Sequence, residues 1–504
     1  MSVARIASRA QIGLHAPLVH VEVHVAAGLP LFHIVGMAAT AVKESKERVR
    51  AALVNSGYEF PAGRITVSMA PADIPKEGGR FDLPIALGVM LASGQLKAAE
   101  EVFASTEFYG ELALSGELKA VKALLLAAAH ATEAGHDLVV PKMNVDEAVI
   151  AARTAVFGAE NLRGVCQHVE KTELLARATA RGRFVVRDRA EGLDLIDIRG
   201  QLQAKRALTI AAAGSHSLLL VGPPGSGKSM LARRLPGLLP PLTSTEALEV
   251  ATIVSASTAG FDERNFGQRP FRFPHHTAST AAMVGGGTNA GPGEISLAHC
   301  GVLFLDELPE FERRTLEALR EPLETGVVAV SRVAMQAEYP AEFQLVVAMN
   351  PCPCGYFGDV SERCHCTPGR IANYLGRVSG PLLDRIDLRI VVPTLRSHEL
   401  TEDIPCGDST VQAAARVSAA RDRQLARSGK LNSRLSIHDL SIHCRLDSAS
   451  EQLFWQSQAR LGISARSYHR ILRVSRTIAD LEGADRISPM HIAEALQLKR
   501  ALDP

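Results

Sequence analysis

Residues Leu218–Ser229 read Leu-Leu-Leu-Val-Gly-Pro-Pro-Gly-Ser-Gly-Lys-Ser. The four apolar residues make a short buried strand, and Gly222–Ser229 fits G-x-x-x-x-G-K-[ST] just ahead of a helical stretch. Glycines let backbone N–H groups curl around phosphate oxygens, and the helix N-terminus behind them adds positive potential. Gly222, Pro223, Pro224, Gly225, Ser226 and Gly227 are therefore the candidate cradle for a nucleoside triphosphate, with ATP and Mg²⁺ as the expected ligands. Lys228 would reach the β/γ-phosphates, and the Ser229 hydroxyl would coordinate Mg²⁺. A chance glycine turn is the bland reading; the flanking strand and helix weigh against it.

Outward from the loop, Gly301–Glu307 reads Gly-Val-Leu-Phe-Leu-Asp-Glu. An apolar strand ending in two carboxylates would set Asp306 beside the loop to hold Mg²⁺ and Glu307 to polarise the attacking water. A further apolar strand, Phe343–Met349, ends at Asn350, whose amide could orient that water; a plain turn residue is the alternative. Arg385, within Leu-Leu-Asp-Arg-Ile-Asp at 382–387, is a candidate finger for transition-state charge. A surface salt bridge to Asp384 or Asp387 competes with that role. Arg466, in Ser464-Ala465-Arg466, opens an amphipathic helix and could touch the same phosphate; an exposed helix arginine is the competing reading.

The chain has 504 residues, enough for three domains at about 150 residues each. Hydrophobic residues make up 46% and charged ones 22%, which excludes disorder and fibrous classes. Residues 1–180 read as one α/β unit. In it Val19, Val21, Val23 and Val25 alternate with His20, Glu22 and His24, the period of a strand with one wet face. Met37–Gly57 and Val121–Ala134 have helical spacing, and further strands are expected at Arg64–Ala70, Glu107–Leu114 and Asp137–Val140. The stretch at 177–192 reads as a linker. Residues 194–395 alternate strand and helix, with Gln201–Ala213 a helix, which predicts a mostly parallel sheet covered on both faces. After an irregular stretch at 396–409, residues 411–504 read as helical throughout.

Whole-chain charge is +1 and names no partner. From Val411 to the end, however, 15 Lys and Arg stand against 9 Asp and Glu, so any polyanion-binding surface is regional. The longest uncharged apolar run, Leu83–Leu96, spans 14 residues broken by Pro84, Gly88 and Gly94, too short for a bilayer. The N-terminus lacks a secretory pattern, and the expected compartment is the cytoplasm.

The order of phosphate loop, Asp-Glu strand, strand ending in Asn, Leu-Leu-Asp-Arg and helical lid with Ser-Ala-Arg resembles the AAA+ ATPases. Phe271–Thr277 (FRFPHHT), Gly285–Gly287 with Pro292–Glu294, Leu303–Glu310 (LFLDELPE), Asn350–Gly355 (NPCPCG) and Ser379–Leu388 (SGPLLDRIDL) resemble the magnesium-chelatase-like competence proteins, the ComM (YifB) family. The likeness covers nearly the whole chain. It implies a Walker A loop at Gly222–Ser229, Walker B at Asp306 and Glu307, sensor 1 at Asn350, a trans-acting finger at Arg385 and sensor 2 at Arg466. It also implies a ring, expected to be a hexamer, and a DNA motor acting in branch migration on transforming DNA. The N-terminal block resembles the Lon-protease-type (ribosomal-protein domain 2-type) α/β domain. In Pro75–Asp82, however, Arg80 stands where that family's nucleophilic Ser would be, which closes the acyl-enzyme route.

Cys352-x-Cys354 and Cys364-x-Cys366 offer four thiolates for a tetrahedral site, with zinc favoured by ligand softness. An unmetallated reduced loop is the alternative, and His365 could substitute as a ligand. His275 and His276 are adjacent and point different ways, so ordinary loop histidines are expected there. The resemblance places Phe271–Gly293 in a pore-facing insertion and Val327–Gln344 in a hairpin. Arg272 and Arg332 thereby become candidates to grip single-stranded or branched DNA without sequence preference. Two functions compete: a DNA translocase, and a motor remodelling a protein partner as in magnesium chelatase. The N-terminal block and the cysteine knuckle are not expected in the chelatase subunit and favour the first.

Overall fold

The computed structural model describes residues 3–35, 42, 44–76, 78–178, 193–286, 290–332, 335–359, 363–394, 407–461 and 465–499. The N-terminal region builds a seven-stranded mixed sheet, ordered Leu31–Val35, Arg64–Ala70, Leu18–Ala26, Ala4–Arg9, Thr106–Phe108, Asp137–Pro141 and Val156–Ala159. The alternation at Leu18–Ala26 works as the period-2 pattern requires: Val19, Val21 and Val23 are fully buried, while His20, Glu22 and His24 face outward. The helix expected over Met37–Gly57 is seen as Ser45–Asn55; residues 36–41 and 43 lie outside the described residues. The expected strand Glu107–Leu114 divides into Thr106–Phe108 and Glu111–Leu112. The cause is local. The Gly110 N–H leaves the ladder for the Arg80 carbonyl, and Leu112 N–H donates to the buried Asp82 carboxylate at 3.2 Å.

The second sheet is the one that positions the site. Its five strands run Phe271–Arg272, Val302–Leu305, Gln344–Met349, Leu218–Val221 and Leu388–Val391, and every pair is parallel. Both faces are covered, as continuous apolar strands demand. Leu218, Leu220, Val302, Phe304, Val346 and Ala348 point into one core with helix Leu202–Gly214. Leu219, Val221, Leu303, Leu305, Leu345 and Val347 point into a second core on the opposite face. Complete burial of each such Leu or Val stabilises the fold by about 1.5–3 kcal/mol.

The C-terminal region is helical, with Thr410–Ser428, Ile437–His443, Ser448–Leu461, Ala465–Glu482 and Pro489–Gln497. Ala413, Val417, Phe454, Ile471, Val474 and Ile478 from these helices belong to the same core as Leu218 and Leu220. Arg421 closes the contact by donating from Nε and Nη2 to the Ala212 carbonyl at 2.9 and 2.7 Å. No helix among the described residues is long and apolar enough to cross a membrane. The stretches read as linkers, 177–192 and 396–409, fall largely at 179–192 and 395–406, outside the described residues.

Candidate functional site

The phosphate loop leaves the C-terminal end of Leu218–Val221 and enters helix Lys228–Arg234. Gly225 and Gly227 take φ of 77° and 94°, in the left-handed region that a side chain resists. Gly222 is required for space: a Cβ there would lie 2.2 Å from the Val392 carbonyl oxygen and 2.9 Å from Ser226 Oγ. The Lys228 ammonium donates to the carbonyls of Gly222 at 2.7 Å and Pro223 at 2.9 Å and to Asn350 Oδ1 at 3.2 Å. Burial pulls the Lys228 pKa below its ordinary value, against the opposing pull of Asp306 and Glu307. One cation therefore links the loop to the strand-end Asn350.

Ser229 Oγ donates to Asp306 Oδ2 at 2.6 Å. A hydroxyl and a carboxylate held together beside a phosphate loop are the donor set a magnesium ion takes, with oxygen ligands and retained waters. Glu307 follows at φ 52°, a left-handed conformation unusual for a residue with a side chain, and its N–H donates to Asp306 Oδ1 at 2.9 Å. Its carboxylate stays exposed and meets His276 Nδ1 at 3.2 Å. That contact was not foreseen. His276 belongs to the quoted FRFPHHT stretch, but nothing in the spacing points it at Glu307, whereas His275 bonds Thr277 Oγ1 as a loop histidine would.

Arg385 and Arg466 lie elsewhere. Ser217, at the opposite end of the Leu218–Val221 strand, donates from Oγ to the Arg385 carbonyl at 3.0 Å. Five steps of extended chain lead from Ser217 to Gly222, about 16 Å at roughly 3.3 Å per residue. Arg385 pairs neither with Asp384 nor with Asp387. Its Nη2 lies 2.7 Å from Glu324 Oε1, and Arg466 donates to that same oxygen at 2.9 Å. Asp387 is taken by Arg470 at 2.5 Å. Burial alone would raise the Asp387 pKa, but Arg470, helped by His216 and Lys499, holds it below the usual carboxylate range. A cavity of about 410 Å³ opens here, lined by Arg385, Arg434, Arg466, Arg470 and Arg473 against Glu324 and Asp387.

One further expectation changes. Arg272 lies on the edge strand of the central sheet, not in a free insertion, and Glu294 holds its guanidinium through two hydrogen bonds of 2.7 Å. Its guanidinium is paired with Glu294 in this structure. Val327–Arg332 does pair with Met335–Pro340 as a hairpin, while the Arg332 side chain and residues 333–334 lie outside the described residues. In the N-terminal region Arg80 is buried and donates from Nη1 to the Arg9 carbonyl at 3.2 Å and from Nη2 to the Lys122 carbonyl. A guanidinium turned onto main chain supplies no nucleophile.

The four cysteines meet. Cys352 Sγ lies 3.3 Å from Cys354 Sγ and 3.8 Å from Cys364 Sγ, and Cys354 lies 3.7 Å from Cys364. With Cys366, all four sulfurs fall within 4.8 Å of one another. Hydrogen bonds, first from the Tyr356 N–H and then from the Cys352 thiol, draw the Cys354 thiol down to about 6.

An all-parallel sheet, a phosphate loop with left-handed glycines, a Ser–Asp pair and a strand-end Asn together define a P-loop module of the AAA+ type. Comparison with known proteins agrees. Residues 194–400 match the family model described as magnesium chelatase, subunit ChlI; residues 407–499 match its C-terminal model; and residues 21–144 match a model described as subunit ChlI of Mg-chelatase. The chain is 47% identical over 503 residues to the YifB protein of Salmonella typhimurium, covering 100% of this chain and 98% of that one. It is 47% identical over 502 residues to competence protein ComM of Haemophilus influenzae, covering 98% and 97%. The magnesium-chelatase 67 kDa subunit of Heliobacterium mobile is 25% identical over 266 residues, 45% of this chain and 38% of that one. The chain belongs to the magnesium-chelatase-like ComM/YifB family of AAA+ ATPases. The match at 21–144 removes the N-terminal block as an argument against the chelatase reading.

Proposed function

We propose that the protein is a ring-forming, ATP-hydrolysing motor that acts on DNA, with branch migration during competence as its task. In this reading residues 1–180 form a Lon-protease-like scaffold without peptidase chemistry. Residues 194–395 form the ATPase module, residues 411–504 form a helical lid, and the assembly is a cytoplasmic homohexamer. The observation that carries the ring is the position of Arg385 and Arg466. Both sit at the end of the strands opposite the phosphate loop, so in this reading the neighbour's arginines complete the site.

Within one chain, the Gly222–Gly227 backbone binds the phosphates, Lys228 exchanges its loop carbonyls for phosphate oxygens, and Asn350 aligns the attacking water. Glu307 takes the proton from that water. Ser229 and Asp306 would hold magnesium, which supplies neutralisation of phosphate charge when bound. Zinc is the ion assigned to the four thiols. Competence comes to this chain from the printed name of its ComM relative, and DNA from the family resemblance and the positive excess after Val411.

A protein-remodelling motor is the second reading, favoured by the three chelatase-type matches. ATPase rate and particle size measured with and without forked DNA across a salt series decide between them. DNA stimulation that fades as salt rises supports the first. Stimulation by a protein partner with none by DNA supports the second.

A further inference from the structure

Burial and contact place the cysteine knuckle directly against the phosphate loop. We propose that Cys352, Cys354, Cys364 and Cys366 hold one thiophilic divalent cation, zinc by ligand chemistry, and that this metal clamps the phosphate loop and Asn350 in their nucleotide-binding shape. The clamp rests on the reading of Gly222–Ser229 as an ATP site; the metal site does not.

Four sulfurs around one zinc at about 2.3 Å stand roughly 3.8 Å apart in a tetrahedron. The separations of 3.3, 3.7 and 3.8 Å match that size and are too tight to surround an iron–sulfur cluster. Cys352 Sγ also accepts the Phe357 N–H at 3.3 Å. Such a bond orients a thiolate and disperses its charge around a metal.

The coupling runs through Gly355. It takes φ of 88° in the turn between the two cysteine pairs, and a Cβ there would lie 2.5 Å from Pro224 Cδ and 3.8 Å from Asn350 Cγ. Pro224 is inside the phosphate loop, and Asn350 accepts from Lys228 at 3.2 Å. The knuckle therefore lies against the phosphate loop and close to the strand-end Asn350. Neither helix nor strand crosses Cys352–Cys366 among the described residues, so a metal is what would fix this segment.

The experiment uses the full chain purified under reducing conditions. Elemental analysis is expected to find about one zinc per chain, and Co²⁺ exchanged into the site should give the thiolate charge-transfer and tetrahedral visible bands. Stripping the metal with a chelator should weaken binding of a fluorescent ATP analogue about tenfold, with recovery on adding Zn²⁺ or Co²⁺. Gly355→Ala should keep its metal yet bind the analogue as weakly as the stripped chain; it carries the test if stripping unfolds the protein. Absence of stoichiometric metal together with failure to take up Co²⁺ overturns the site. Equal analogue affinity of stripped, loaded and Gly355→Ala chains overturns the clamp. A chain that holds zinc but binds no ATP overturns the nucleotide reading alone.

Discussion

Arg385 and Arg466 converge on a single oxygen, Oε1 of Glu324, at 2.7 and 2.9 Å. The two arginines come from segments far apart in sequence, and one carboxylate holds both. The Arg385 side chain is only 7% exposed, so a finger that serves a neighbouring subunit has to leave Glu324 first. Glu324 occupies the arginines as a phosphate would. Glu324→Gln keeps the shape and removes the charge. It is expected to raise ATP turnover in assembled rings roughly two- to fivefold, the range of a partly exposed ion pair, with ATP affinity unchanged. Steady-state hydrolysis beside analogue binding checks this, and slower turnover would refute the competition.

In the proposed mechanism Lys228 serves binding and Glu307 serves chemistry. Lys228→Ala removes the cation that faces the phosphates, so nucleotide binding should be lost. Glu307→Gln should bind ATP normally while turnover falls by about 10²–10⁴, the scale of general-base catalysis. Undiminished turnover in Glu307→Gln would defeat its assignment as the base.

The proposal that ATP is cleaved at a seam between subunits is tested by mixing variants. Arg385→Ala chains lack the finger and Lys228→Ala chains lack the phosphate contact, so each alone should be inactive. In mixed rings an intact Lys228 can face an intact Arg385, and part of the activity should return on titrating one variant into the other. If no ratio restores hydrolysis, Arg385 does not act across subunits.

Asp387 should govern acid stability. Its pKa is lowered from 3.8 in the folded state, mainly by Arg470 working against burial. A lowered folded pKa means the stabilisation is present above the unfolded value and fades as pH falls below it. Asp387→Asn should cost about 3 kcal/mol at pH 7, because Arg470 is left facing a neutral amide in a buried site. The thermal-unfolding gap between variant and parent should be wide at pH 7 and begin to close only below about pH 4, shrinking further as the pH approaches the lowered folded pKa. A gap that is independent of pH would show packing, not charge, as the cause.

The central sheet was readable from sequence because its signals are local. Continuous apolar runs at Leu218–Val221, Val302–Leu305 and Gln344–Met349 end in residues whose types announce phosphate chemistry. The contacts that escaped are tertiary. Glu324 carries no motif and reaches Arg466 across 142 positions, and His276 meets Glu307 only because the edge strand Phe271–Arg272 sits beside Val302–Leu305. The strand expected at Glu107–Leu114 failed for a related reason: a distant carboxylate, Asp82, captures the Leu112 N–H. Periodicity reports which face is apolar; it does not report which remote side chain competes for the backbone.

Helix Leu202–Gly214 has the parallel sheet on one flank and helices Thr410–Ser428 and Ala465–Glu482 on the other. An expression fragment ended near residue 395 would uncover a wide greasy wall on that helix and precipitate instead of behaving as a minimal ATPase. By the same token these C-terminal helices and the parallel sheet share one apolar interior, so parting them would bare both at once.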